Sequence, residues 1–108
     1  MDYKVFATDS FEDDYERAVL YLVEELGSKE AASNLMAKVS KAVSILKSNP
    51  EIKAISRQPV LSARSLRVYF VGNYVLLYKF EKSTVYLVRF FHQSQLYGAA
   101  SYWDSDTE

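Results

Sequence analysis

The spacing of apolar residues changes once along this chain, from a helical to a strand period, and that change most narrows the folds open to it. Phe11, Tyr15, Ala18, Val19, Leu22 and Leu26 recur three and four residues apart, as do Ala32, Leu35, Met36, Val39, Ala42, Val43 and Leu46. Each set makes one stripe along a helix. From Leu66 onward the period is two, in runs of about 64–71, 73–81 and 84–92. Only Gly72-Asn73 and Glu81-Lys82-Ser83 separate those runs. Connections this short join antiparallel strands, because parallel neighbours need a crossover of roughly a dozen residues or more.

Local signals set the boundaries. Ser10 is expected to cap the first helix, with Glu12, Asp13, Asp14 and Glu16 close behind it. Carboxylates are favourable there because unpaired N–H groups and the helix dipole place positive charge at that end. Gly27 suits the residue just past a helix, where a left-handed backbone is needed. Ser28 can cap a second helix at once, and Asn49-Pro50 stops it, since a residue before proline disfavours the helical region. Residues 10–48 therefore read as an α-hairpin with a very short turn. Tyr3 to Thr8 reads as a first strand, and residues 50–63, with Pro50 and Pro59, as a connecting loop. The expected fold class is α+β: a small antiparallel β-sheet with an N-terminal α-hairpin packed on one face, in the order β-α-α-β-β-β. At 108 residues and 49% hydrophobic content the chain suffices for one core and one domain, residues 1–108. Gln93 to about Tyr102 has room for a short helix, and residues from about 98 to 108 read as a mobile tail.

Composition excludes several chemistries. The sequence has no cysteine, so disulfides, thiol catalysis and cysteine-based metal clusters are out. It has one histidine, which excludes a multi-histidine metal centre, and no cofactor is expected. Met1-Asp2-Tyr3-Lys4 does not open a signal peptide, and no run approaches the roughly 18 apolar residues of a membrane span. A cytoplasmic protein without a membrane partner is expected. The net charge of −1 hides a segregation. Residues 1–30 carry nine acids and three bases, residues 31–97 ten bases and two acids, and residues 98–108 three acids. A basic strand half of this kind is suited to an anionic partner.

Within that half, Arg64 and Arg67 flank the second strand, Lys79 lies in the third, and Arg89 sits in the middle of the fourth. These four are the candidate contacts for an anionic partner or target. Period-two counting puts Arg89 beside Val85, Leu87 and Phe91, and His92 on the other face with Tyr86, Val88 and Phe90. An arginine in mid-strand must be paired or must face an open surface. His92, at the end of the last strand, is either a general acid or base or a side chain hydrogen-bonded to backbone. Tyr97 could donate a proton or stack on a base. No Ser-His-Asp arrangement or glycine-rich phosphate loop is present, and capping accounts for the acids of the first helix. Residue chemistry alone leaves enzymatic activity open.

The ordered set of motifs, spanning Tyr3 to Tyr97, resembles the RelE/ParE superfamily of bacterial type II toxin–antitoxin toxins. Its carriers are Tyr3-Lys4-Val5, the acid-rich helix with Asp14 and Tyr15, and Ile45-Leu46-Lys47-Ser48-Asn49-Pro50. More specific are the arginine-led stretch from Arg64 to Tyr78, with its Gly72-Asn73-Tyr74 turn, and the closing strand Val85 to His92 with its Arg-x-x-His pattern. The resemblance implies a growth-inhibiting toxin of a plasmid-stabilisation type module, neutralised by a cognate antitoxin. ParE-like members inhibit DNA gyrase, whereas RelE-like members are metal-free mRNA interferases that cleave mRNA on the ribosome. In the nuclease branch His92 matches the position of a catalytic histidine, and Arg89 and Tyr97 would assist it. That branch commonly has an arginine where this chain has Val75, and a basic cluster where it has Gln93-Ser94-Gln95. The turn and the closing strand look closer to ParE. An inactive member that still binds antitoxin is the third reading. An acidic antitoxin segment would suit Arg64, Arg67 and Arg89, and an amphipathic partner helix would dock by apolar anchors.

Overall fold

The computed structural model describes residues 2–95. Tyr97, the short helix expected before Tyr102 and the expected tail from residue 98 lie outside them. The chain begins with β1 (Lys4–Ala7) and turns directly into α1 (Asp9–Leu20). The cap of α1 is Thr8, not Ser10: Thr8 stays extended (φ −70°, ψ 161°) and its hydroxyl accepts from the Phe11 N–H at 3.1 Å. The same hydroxyl donates to the Val88 carbonyl at 2.9 Å, so one side chain starts the helix and ties it to the sheet. Past Leu20 the helix widens into a π-turn, Tyr21–Glu25. Gly27, at φ +63°, then reverses the chain, and the Ser28 hydroxyl accepts from Ala31 N–H to start α2 (Lys29–Ser48).

The stretch expected to be a loop contains two helical turns, a 3-10 turn at Pro50–Ile52 and α3 at Pro59–Ser62. Each begins at a proline, whose missing N–H is no loss in a first turn. Leu66 N–H bonds to Leu61 C=O and Ser65 N–H to Ser62 C=O, the double closure of a helix end, with Ser65 at φ +59° where glycine is usual. The chain then runs through β2 (Arg67–Val71), β3 (Tyr74–Glu81) and β4 (Thr84–His92).

The sheet order is β1-β4-β3-β2. Strands β2, β3 and β4 form the expected antiparallel meander. Strand β1 lies parallel to β4, from Lys4 opposite Thr84 to Ala7 opposite Leu87, so the sheet is mixed rather than wholly antiparallel. The helical hairpin and the meander together supply the long connection that a parallel pair requires.

Strand β4 carries a bulge. Leu77 faces Arg89 and the next residue, Tyr78, faces Leu87, leaving Val88 without an opposite number. The inserted residue reverses the alternation beyond it. Phe90 joins Val85 and Leu87 in the core under the hairpin, while Val88 and Phe91 pack on the opposite side. The period-two expectation that grouped Arg89 with Val85 and Leu87 is thereby corrected. The larger core joins Phe11, Leu35, Val39 and Leu46 of the hairpin to Leu76, Tyr78, Val85 and Phe90. The smaller one, on the other face, places Leu61 and Leu66 over Val75, Leu77 and Phe91. Tyr78 is fully buried, and its hydroxyl donates to the Pro50 carbonyl at 2.8 Å, while burial pushes the phenol pKa up.

Candidate functional site

Strand β1 ends at Ala7, so the N–H groups of β4 beyond Leu87 have no strand on that side. Helix α1 crosses there and supplies a side chain instead. Asp14 is 9% exposed, and its Oδ2 accepts from the Phe90 main-chain N–H at 3.1 Å. The same carboxylate takes Arg89 in a two-pronged pair, Nε to Oδ2 at 2.7 Å and Nη2 to Oδ1 at 3.2 Å. The guanidinium also lies 4.6 Å from the centre of the Phe91 ring. Arg17, one turn along α1, approaches Asp14 at 3.6 Å from a largely exposed position. Arg89 is therefore held against α1 by a nearly buried carboxylate.

His92, the last residue of β4, is exposed and lines a cleft of about 440 Å³ between α1 and the end of β4. Asp14, Arg17, Tyr21, Tyr74 and Phe90 are among its walls. The Ser94 main-chain N–H donates to His92 Nδ1 at 3.1 Å, which leaves the proton of a neutral ring on Nε2. Gln95 Oε1 accepts from the His92 main-chain N–H, and the ring meets Tyr74 edge-on with centroids 5.2 Å apart. Burial, helped by the nearby Tyr21 phenol, raises the Tyr74 pKa further above neutrality. The cleft thus combines an imidazole, two phenols and an exposed guanidinium. Arg89 is not among its walls and meets it through Asp14 and Phe91.

The remaining sequence-nominated cations divide between the two faces of the sheet. Arg67 donates to the Lys53 carbonyl and lies 4.8 Å from the Phe80 ring centre, on the hairpin side. Arg64 and Lys79 come together on the opposite face, where they line a second cleft with Tyr86. These four candidate cations are thus distributed over three places rather than gathered into one patch. Asp14, Tyr74 and Tyr86 are not among the site residues nominated from sequence, although Asp14 and Tyr74 belong to the motifs that carry the family resemblance. For Asp14 a signal existed: it falls between Phe11 and Ala18 at helical spacing, on the apolar stripe, where a solvated capping acid has no reason to sit.

Among the described residues no group of three His, Cys, Asp or Glu side chains could hold a metal ion. No helix there is long and apolar enough to cross a membrane. Curated protein sequences give no match to this chain. A solved structure of the chromosomal ParDE TA system from P. aeruginosa is similar, with a TM-score of 0.66 at 14% identity, covering 83% of this chain and 95% of that one. At that identity the likeness is one of fold. Residues 5–97 match the family described as ParE toxin of type II toxin-antitoxin system, parDE. The chain belongs to the ParE toxin family.

Proposed function

We propose that this protein inhibits DNA gyrase in the cytoplasm, by binding rather than by nucleolysis, and is neutralised by a cognate antitoxin. The observation that carries the reading is the state of Arg89. The arginine of the Arg-x-x-His strand is committed to Asp14 and to the edge of the sheet. A metal-free nuclease would need such a cation at the scissile phosphate. Membership of the parDE toxin family favours the same branch. On the hairpin, Leu20, Tyr21, Leu26 and Met36 are 43%, 52%, 58% and 44% exposed, and they offer the apolar anchors an amphipathic antitoxin helix would use.

The test is expression from a tightly controlled promoter, followed by two assays on the same cells and on purified toxin. Gyrase inhibition appears as lost supercoiling or trapped cleaved plasmid, with His92→Ala leaving toxicity largely intact. Cuts inside codons of translated messages, abolished by His92→Ala or Arg89→Ala while supercoiling is normal, would overturn the reading in favour of the RelE-like alternative. Expression without any growth defect would point to an inactive, antitoxin-binding member. Co-expression of a cognate antitoxin should restore growth.

A further inference from the structure

The cleft on the face away from the hairpin has no part in the proposal above, and its chemistry is specific. It measures about 470 Å³, within the usual range of small-ligand sites, roughly 300–1,000 Å³. Its floor includes Lys79 and Tyr86, which belong to a row across three strands that continues beyond the cleft to Phe6. Phe6 of β1 stands opposite Tyr86 of β4, and Tyr86 opposite Lys79 of β3. The two rings meet edge to face, centroids 5.9 Å apart at 68°, which leaves the half-buried Tyr86 ring braced from one side. One wall is the Arg64-Ser65-Leu66 turn after α3, and the other is the start of α1 with Ser10.

Charge in the cleft is uneven. Arg64 and Lys79 bring two cations, and the one acid of the lining, Glu81, is 64% exposed with its carboxylate 3.8 Å from the Lys79 ammonium. Ser65, held at φ +59° by the closure of α3, fixes the turn that carries Arg64. A planar fork and a compact ammonium beside a braced aromatic ring, with Ser10 on the opposite wall, fit a ligand with a phosphate at one end and a flat polar ring at the other. We infer that this cleft binds a nucleotide unit, its base against Tyr86 and its phosphate between Arg64 and Lys79. A free mononucleotide and one residue of a single strand share that chemistry, and they are separated by experiment.

The test uses the full-length chain, labelled with nitrogen-15 and titrated with AMP, adenosine, ribose 5-phosphate and a single-stranded oligoadenylate hexamer. AMP should shift the amides of Arg64 to Leu66, Tyr86 and Val88 saturably, while adenosine and ribose 5-phosphate bind about tenfold more weakly or worse. Lys79→Gln, at a half-exposed position, should weaken AMP about tenfold and leave adenosine unchanged. Tyr86→Phe should retain binding where Tyr86→Ala loses it, which guards against misreading a folding defect. A hexamer that binds at least about tenfold more tightly through the same amides identifies a strand as the ligand, and equal affinity identifies the mononucleotide. No saturable shift up to about 10 mM AMP, or shifts indifferent to Lys79→Gln, would overturn the inference.

Discussion

Replacing Asp14 by alanine tests whether the carboxylate on α1 stands in for the strand that β1 does not extend to provide. Three donors meet it: Arg89 Nε at 2.7 Å, Arg89 Nη2 at 3.2 Å and the Phe90 N–H at 3.1 Å. The side chains of Asp14 and Arg89 are 7% and 15% exposed, so water cannot readily replace the lost partner. Breaking a buried pair costs about 3–5 kcal/mol, and the residual exposure of Arg89 places Asp14→Ala at the lower end, about 3 kcal/mol. In a domain of this size that lowers the melting temperature by roughly 12 °C. Asp14→Asn keeps one acceptor for Phe90 and should cost about 2 kcal/mol. Urea melts followed by far-ultraviolet circular dichroism, in low salt and in about 0.5 M sodium chloride, measure both, and the loss should survive salt because the pair is shielded. A double-mutant cycle with Arg89→Met should give a coupling of at least about 1.5 kcal/mol. A loss below about 1 kcal/mol for Asp14→Ala, or simple additivity with Arg89→Met, would refute the clamp.

Thr8→Val removes both the cap of α1 and the bond to Val88 and should cost about 1–2 kcal/mol, while Ser10→Ala, at the position expected to cap, costs less than about 0.5 kcal/mol by the same melts. Tyr78→Phe leaves the Pro50 carbonyl without its buried donor, a loss of about 1–3 kcal/mol at neutral pH. Because burial raises the Tyr78 pKa, its stabilising contribution is intact below the ordinary tyrosine value of about 10 and disappears as pH rises past it. Stability curves taken up to about pH 11 should therefore fall less steeply for Tyr78→Phe than for the parent chain. Lys82→Gly relaxes a non-glycine residue at φ +55° in the β3–β4 turn and should raise the urea midpoint by the equivalent of about 0.5–1 kcal/mol.

Much of this architecture was legible because it is written locally. Gly27, Ser28 and Asn49-Pro50 mark the ends of the helices through backbone rules that act within a few residues, and the apolar stripes name the faces that are buried. The short turns fixed the antiparallel meander for the same reason. What escaped depends on neighbours distant in sequence. The parallel placement of β1 is decided by β4, some eighty residues later, and nothing between Tyr3 and Thr8 encodes it. The bulge at Val88 leaves no mark in composition, yet it decides which side of the sheet Phe90 and Phe91 face. Thr8 won the cap over Ser10 because it alone also reaches a carbonyl of β4. In the candidate sites, residue types pointed to Arg64, Lys79, Arg89 and His92, but only the placement of the turn after α3 against the sheet could say that Arg64 and Lys79 share a cleft.

Placing β1 against β4 also makes the order of synthesis matter. Strand β1 has no neighbour in the sheet until β4 has emerged, and both α1 ties to the sheet, through Thr8 and Asp14, wait for that same strand. A nascent chain stopped between Glu81 and Thr84 therefore holds β2 and β3 but lacks the strand that joins β1 and α1 to the sheet. Acquisition of the complete sheet is thus confined to chains made through β4, and every contact that anchors β1 and the start of α1 forms late.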